Sequence, residues 1–206
     1  MNESGQRLRD EFGDIDIYIF DQLLKGRIAP GLRILDAGCG EGRNIRYLLK
    51  HGFDVRGVDE SEQAVAAVRR NAAALAPALG GDRFSVQSLE AMTFDDAAFD
   101  VVICNAVLHF ARDEAHWWRM LRGVWRVLKP GGMFFARLAS TIGHESNVTP
   151  LGDRRFRMPD GNERFLVDEA YLMEANAKLN ARPLEPIKTT VVQATRSMTT
   201  WVLEKS

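Results

Sequence analysis

Residues 33–44 read Arg-Ile-Leu-Asp-Ala-Gly-Cys-Gly-Glu-Gly-Arg-Asn, a short apolar run followed by three alternate glycines. Ile34 and Leu35 supply a buried strand with polar Asp36 near its carboxyl end. Glycine lacks a Cβ, so Gly38, Gly40 and Gly42 let the backbone turn sharply and come close to a ligand. A helix is predicted from about Gly42 to Lys50, its free N–H groups pointing at the same crevice. Strand, glycine turn and helix together build an open α/β sheet, in which ligands bind beyond the carboxyl ends of the strands. A nucleotide-type spacing G-x-G-x-x-G is not met, because Arg43 stands where its third glycine belongs. The alternative is a glycine-rich turn in some other doubly wound protein.

The chain continues the alternation of strand and helix. Phe53 to Asp59 is a second strand ending in an acid, and Asp59 lies 21 residues beyond Gly38. A carboxylate there can accept hydrogen bonds from both hydroxyls of a ribose. Asp59 could instead cap the next helix, but Ser61 already occupies the capping place. Helices are predicted over Phe12–Arg27, capped by Asp14 or Asp16, over Ser61–Leu75, from Asp113 through Leu128, and from Asp168 to about Asn180. In the third, Trp117, Met120, Leu121, Val124 and Leu128 form one apolar stripe, so the tryptophans read as core. Arg83–Gln87, Phe99–Asn105 and Met133–Leu138 are predicted strands, the second a buried one carrying β-branched Val101, Val102 and Ile103 after its acid. Pro186–Gln193 and Ser197–Leu203 form a terminal hairpin. Residues 139–167 interrupt the pattern with Gly, Pro, Asn and Ser. Arg154–Met158 and Glu163–Val167 can pair there around Pro159–Asn162, as a substrate lid or as a solvated surface hairpin.

Bulk properties restrict the function. A chain of 206 residues with net charge −1 is expected to form one domain, and it has no basic surplus for nucleic acid. No apolar run reaches membrane-spanning length and the polar N-terminus has no signal-peptide core, so the cytoplasm is expected. Cys39 and Cys104 read as reduced thiols, and the four histidines (His51, His109, His116 and His144) are scattered without metal-ligand spacing.

The motif D-x-G-x-G-x-G at Asp36–Gly42, with Asp59, "FDVVICNAVLHF" from Phe99 and "LKPGG" from Leu128, resembles the class I S-adenosylmethionine-dependent methyltransferases. Within them, "GCGEGRN" and the compact length are similar to small stand-alone members such as the tellurite-resistance type. The resemblance implies a Rossmann-like seven-stranded sheet, doubly wound, with an antiparallel terminal strand. It implies S-adenosylmethionine as cofactor and S-adenosylhomocysteine as product, with methyl transfer to a small-molecule acceptor by in-line displacement. Asp36, Gly38, Cys39 and Gly40 then border the amino-acid tail, and Asp59 and Glu60 the ribose. Relatives hold adenine with an aspartate where this chain has Ser88, so Ser88, Leu89 or Glu90 is expected to border the ring. Asn105 marks the methyl-transfer end, with His109 as a candidate base or as a structural histidine. An N-terminal helix lies against the crevice in such folds, which makes Tyr18 a lid or core residue. Arg43 either pairs with the cofactor carboxylate or is solvated. A non-catalytic cofactor-binding module, a protein or RNA acceptor, and a nicotinamide-dependent oxidoreductase remain the competing readings; oligomeric state is left open.

Overall fold

The computed structural model describes residues 3–79 and 81–206. Helix α1 (Glu3–Phe12) buries none of its residues and ends at Gly13, whose φ of 65° breaks the helix. Helix α2 (Ile17–Leu24) follows, with Asp16 accepting from the Tyr18 N–H at 3.0 Å as its N-cap. The helix expected over Phe12–Arg27 is therefore shortened to Ile17–Leu24, because Gly13 and the capping Asp16 delay its start, and α1 is a separate helix that was not expected.

Strand β1 (Arg33–Ala37) leads through the glycine turn into α3 (Arg46–Lys50). That helix starts four residues later than expected, since Gly42 at φ 88° and the turn bonds Gly42 N–H to Cys39 O and Ile45 N–H to Gly42 O hold the chain out of helical geometry. Strand β2 (Asp54–Asp59), helix α4 (Glu62–Leu75), strand β3 (Phe84–Val86) and strand β4 (Phe99–Asn105) come next. Ser61 caps α4 through the Ala64 N–H, as expected. Helix α5 (Glu114–Val127) is capped by Asp113 and runs directly into β5 (Leu128–Ala139). Phe99 pairs with Leu128 and Val101 with Met133, so Lys129–Gly132 loop out of a strand that begins earlier than predicted.

Residues 139–167 hold a three-stranded antiparallel sheet of β6 (Thr149–Gly152), β7 (Arg155–Arg157) and β8 (Glu163–Phe165). The expected hairpin is β7–β8; β6 is added through a turn at Asp153 and Arg154, both at positive φ. Helix α6 (Glu169–Leu179) is capped by Asp168 and closed by Asn180 in the left-handed region. Strands β9 (Ala181–Pro183), β10 (Lys188–Val192) and β11 (Arg196–Lys205) finish the chain.

The main sheet has the order β3-β2-β1-β4-β5-β11-β10, with short β9 as an eighth strand paired to β11. Neighbours from β3 to β5 are parallel, and β11 is antiparallel to both β5 and β10. This is the doubly wound sheet with a reversed terminal strand that the resemblance implies, with β9 added to the seven strands expected. One face packs under α5 and α6, where Trp117 lies beside Phe165, Tyr171 and Trp201 at ring separations of 5.9, 4.9 and 6.4 Å. The other face packs under α2, α3 and α4 through Ile19, Ile34, Val65, Val68 and Phe135. Full burial of side chains of this size contributes about 1.5–3 kcal/mol each. The carboxyl ends of β1, β2 and β4 open on one side of this slab, and the glycine turn lies there.

Candidate active site

The turn after β1 is fixed by its neighbours. Gly38 and Cys39 both donate their N–H to the Val58 carbonyl of β2, at 2.8 and 2.9 Å. Gly38 has φ 84°, and a Cβ on it would stand 2.3 Å from Val107 Cγ2, so glycine is required both by conformation and by space. Gly40 has φ 52° with nothing near its missing Cβ, which leaves its open side to the crevice.

Asp59, at the end of β2, faces this turn. One carboxylate oxygen accepts from the Gly40 N–H and the other from the Ser61 N–H, both at 2.9 Å. The carboxylate is thus oriented by backbone donors, and each oxygen keeps a lone pair for a ligand. Beyond it lies a cavity of about 370 Å³. Gly38 and Gly40 form its floor and Asp59 and Glu60 its acidic rim; Gln87, Leu89, His116 and Met120 make one wall, and Ala106, Val107 and Phe110 the other. A larger cavity of about 640 Å³, between α6 and the β9–β10 edge, contains no glycine turn, so volume alone does not locate the chemistry.

Asp36 is 1% exposed, and its Oδ2 has no hydrogen-bond partner. Burial, reinforced by the nearby Asp59 charge and opposed by Arg43, pushes its carboxyl up to about 7. A buried carboxylate without a donor is costly, and a bound ammonium group relieves that cost. Asn105, at the end of β4, is also buried, with neither its amide oxygen nor its nitrogen paired. These orphaned groups and the cradle at Gly38 fit a ligand with an amino-acid tail and a ribose.

A family model described as a methyltransferase domain matches residues 35–136. Residues 35–136 thus resemble a methyltransferase domain. The ubiquinone biosynthesis O-methyltransferase of Coxiella burnetii is 33% identical over 147 residues, covering 66% of this chain and 58% of that protein. The chain therefore spans well under two thirds of the length of the curated relatives it matches. Among solved structures, an S-adenosylmethionine-dependent methyltransferase of Methanosarcina mazei superposes with a TM-score of 0.72 at 21% identity, over 89% of this chain and 96% of that one. The magnesium protoporphyrin IX methyltransferase of Synechocystis, solved with bound S-adenosylhomocysteine, gives 0.68 at 19% identity, over 99% and 88%.

Within the matched segment the expected site residues divide. Asp59, Glu60, Gly38, Gly40 and Leu89 line the cavity, while Asp36 and Asn105 are buried and are not part of its lining. Cys39 does not present a group to it: its sulfur packs against Gly57 and Phe84, its N–H and C=O are bound within the turn, and burial pushes its thiol up. Ser88 makes no side-chain bond to the short turn it precedes, and the Glu90 carboxylate is taken by His116 Nε2 at 2.9 Å. His116 Nδ1 accepts from the Arg112 N–H, so the ring proton sits on Nε2 and is donated to Glu90.

His109 is buried, and its Nδ1 accepts from the Ala139 N–H at 3.3 Å, tying the loop after β4 to the end of β5. Burial, with Arg164 nearby, pushes it down to about 4. Arg43 is exposed. Tyr18 is half-buried, its hydroxyl 2.8 Å from Thr190 Oγ1.

Gln87 and His116 are the polar cavity residues that sequence reasoning missed, beside the apolar Ala106, Val107, Phe110 and Met120. Gln87 directly follows β3, one residue beyond Val86, which pairs with Asp59 at the end of β2. His116 shares a helix face with Met120 at i, i+4, a polar residue beside the apolar stripe. Among the described residues no group of three or more His, Cys, Asp or Glu is placed to hold a metal ion, and no helix is long and apolar enough to cross a membrane.

Proposed function

We propose that this chain transfers a methyl group from S-adenosylmethionine to a small-molecule acceptor. The observation that carries the reading is the cavity floored by Gly38 and Gly40 and rimmed by the backbone-oriented Asp59 carboxylate. The names of the relatives support the reaction class: one acts in ubiquinone biosynthesis and another on magnesium protoporphyrin IX.

The cofactor supplies a methyl carbon already activated by a positively charged sulfur. The protein's work is then to hold two partners in line and keep water out, which in favourable model systems lowers a barrier by roughly 7–11 kcal/mol. Asp36 takes the ammonium of the amino-acid tail, and the open side of Gly40 admits the tail's backbone-like atoms. Asp59 accepts from the ribose hydroxyls, with Glu60 beside it. Gln87 and Leu89 border the adenine, and Asn105 directs its amide toward the methyl end. His109 carries no proton transfer here: a ring held near 4 is a weak base at neutral pH, and its Nδ1 lone pair is committed to Ala139. An acceptor that arrives ionised needs no base.

Calorimetric titration with S-adenosylmethionine and S-adenosylhomocysteine tests the reading. One saturable site per chain is expected for each; no heat and no thermal shift with either would overturn it.

A further inference from the structure

Three polar side chains lie side by side across the sheet, next to the methyl end of the cavity. Asn105 of β4 pairs in register with Arg137 of β5, and Arg137 pairs with Thr200 of β11. Paired residues in neighbouring strands share a face. Here it is the face of Ile103, Phe135 and Val202, two residues along each strand, which Ile19 of α2 covers. Asp36 stands on the same face of the adjacent strand β1.

Asn105 and Thr200 are buried, Arg137 between them is half-buried, and all three are short of partners. Asn105 is 6% and Thr200 2% exposed. The Asn105 Nδ2 and Oδ1, the Arg137 Nε and the Thr200 Oγ1 have no hydrogen bond. Every unfilled buried donor carries a desolvation cost, so such groups point to a missing ligand. Counted as chemistry, the set is rich in donors and includes one guanidinium: the Arg137 N–H, the Asn105 amide N–H pair and the Thr200 hydroxyl. What it lacks is an anionic oxygen.

The protein itself shows that Arg137 accepts one. Its Nη1 donates to Asp16 Oδ2 at 2.8 Å, while its guanidinium lies 5.3 Å from the Tyr18 ring. Both residues belong to the start of α2, which forms the roof. Lys188, paired with Thr200, lies 3.7 Å from Asp21 of the same helix. The turns flanking α2 contain Gly13 and Gly26 at φ 65° and 70°.

We propose that Asn105, Arg137 and Thr200 form an oxyanion subsite for the acceptor, which carries a carboxylate or phenolate oxygen, and that α2 lifts to admit it. The Asp16 carboxylate occupies part of the guanidinium until then. This rests on the methyl-transfer reading and adds the acceptor's chemical class to it: an acidic small molecule, not an amine or a neutral ether.

The test uses the full chain saturated with S-adenosylhomocysteine, with benzoate and its uncharged isostere benzamide as probes at constant ionic strength. Benzoate is expected to shift one arginine Nε–H resonance saturably, the resonance that Arg137→Lys removes, and benzamide is not. Thr200→Val, which deletes an unpaired hydroxyl at nearly constant volume, is expected to weaken benzoate roughly tenfold. Asp16→Asn keeps the helix cap but removes the competing charge, and is expected to tighten benzoate roughly fivefold. Both variants should bind S-adenosylhomocysteine as the parent does. Equal response to benzoate and benzamide, or benzoate affinity unmoved in both variants, overturns the subsite. If S-adenosylhomocysteine itself fails to bind, the methyl-transfer reading falls first; if it binds and benzoate does not, the subsite alone falls.

Discussion

Asp36 is expected to make cofactor affinity depend on pH in a direction that can be worked out beforehand. In the empty cavity its carboxyl titrates at about 7 instead of 3.8, mainly because the group is buried and secondly because Asp59 is near. A ligand ammonium favours the charged carboxylate, so below pH 7 the site must lose a proton to bind. Affinity is therefore expected to rise with pH up to about 7 and then level off, with roughly a tenfold loss for each unit below. At pH 7 about half a proton should leave per molecule bound, measurable by calorimetry in two buffers of different ionisation heat. Stability of the empty protein runs the opposite way. A folded-state value raised above the unfolded one stabilises below about 3.8, and that contribution is lost as pH rises through 7. The separation corresponds to on the order of 4 kcal/mol against the charged form, an upper figure because a protein interior screens more than a dry medium. Asp36→Asn should then unfold at higher temperature than the parent at pH 8, yet bind S-adenosylhomocysteine at least tenfold more weakly. Flat affinity between pH 5.5 and 8, together with an unstabilised Asp36→Asn, would refute the reasoning.

Asp59→Ala removes a carboxylate with lone pairs free for the ribose, and should weaken S-adenosylhomocysteine by about 1.5–3 kcal/mol in a calorimetric titration; unchanged affinity removes that role. Gly38→Ala places a methyl 2.3 Å from Val107 Cγ2 at φ 84°, so both folding and cofactor affinity should suffer, with partial rescue by Val107→Ala. Gly123→Ala should lower the melting temperature although alanine is the better helix former by about 0.8–1.0 kcal/mol. Its Cβ would meet the Leu89 carbonyl oxygen at 1.9 Å, pushing the short turn that carries a cavity wall; a rise in melting temperature would show that the contact yields freely.

Much of the fold can be read from residues whose local and tertiary preferences agree. Phe99–Asn105 centres on β-branched Val101, Val102 and Ile103 and forms a central strand with the bounds expected. Asp113, Ser61 and Asp168 each accept the backbone N–H that a capping residue should, because a short polar side chain before an apolar stripe has one favoured use. The failures are elements that exist only through pairing. Strands β6 and β9 are four and three residues long, too short for any periodicity to mark them. Helix α1 buries nothing, so no apolar stripe announces it. At the site, the placing of Asp59, Gly38 and Gly40 beside the cavity was legible because they belong to a local turn. His116 and Gln87 were not, since what brings them to the cavity is the packing of α5 on the turn after β3.

The aromatic stack under α5 gives the molecule an optical reporter of its own. The Phe165 ring, from the three-stranded sheet, lies nearly parallel to the Trp117 indole at an interplanar angle of 16°, and Trp201 of β11 lies on at 22°. Trp117 is wholly shielded from water. Lifting of that small sheet when an acceptor enters would wet the indole and move its emission to longer wavelength, so an unlabelled sample in a stopped-flow fluorimeter records whether residues 139–167 act as a gate.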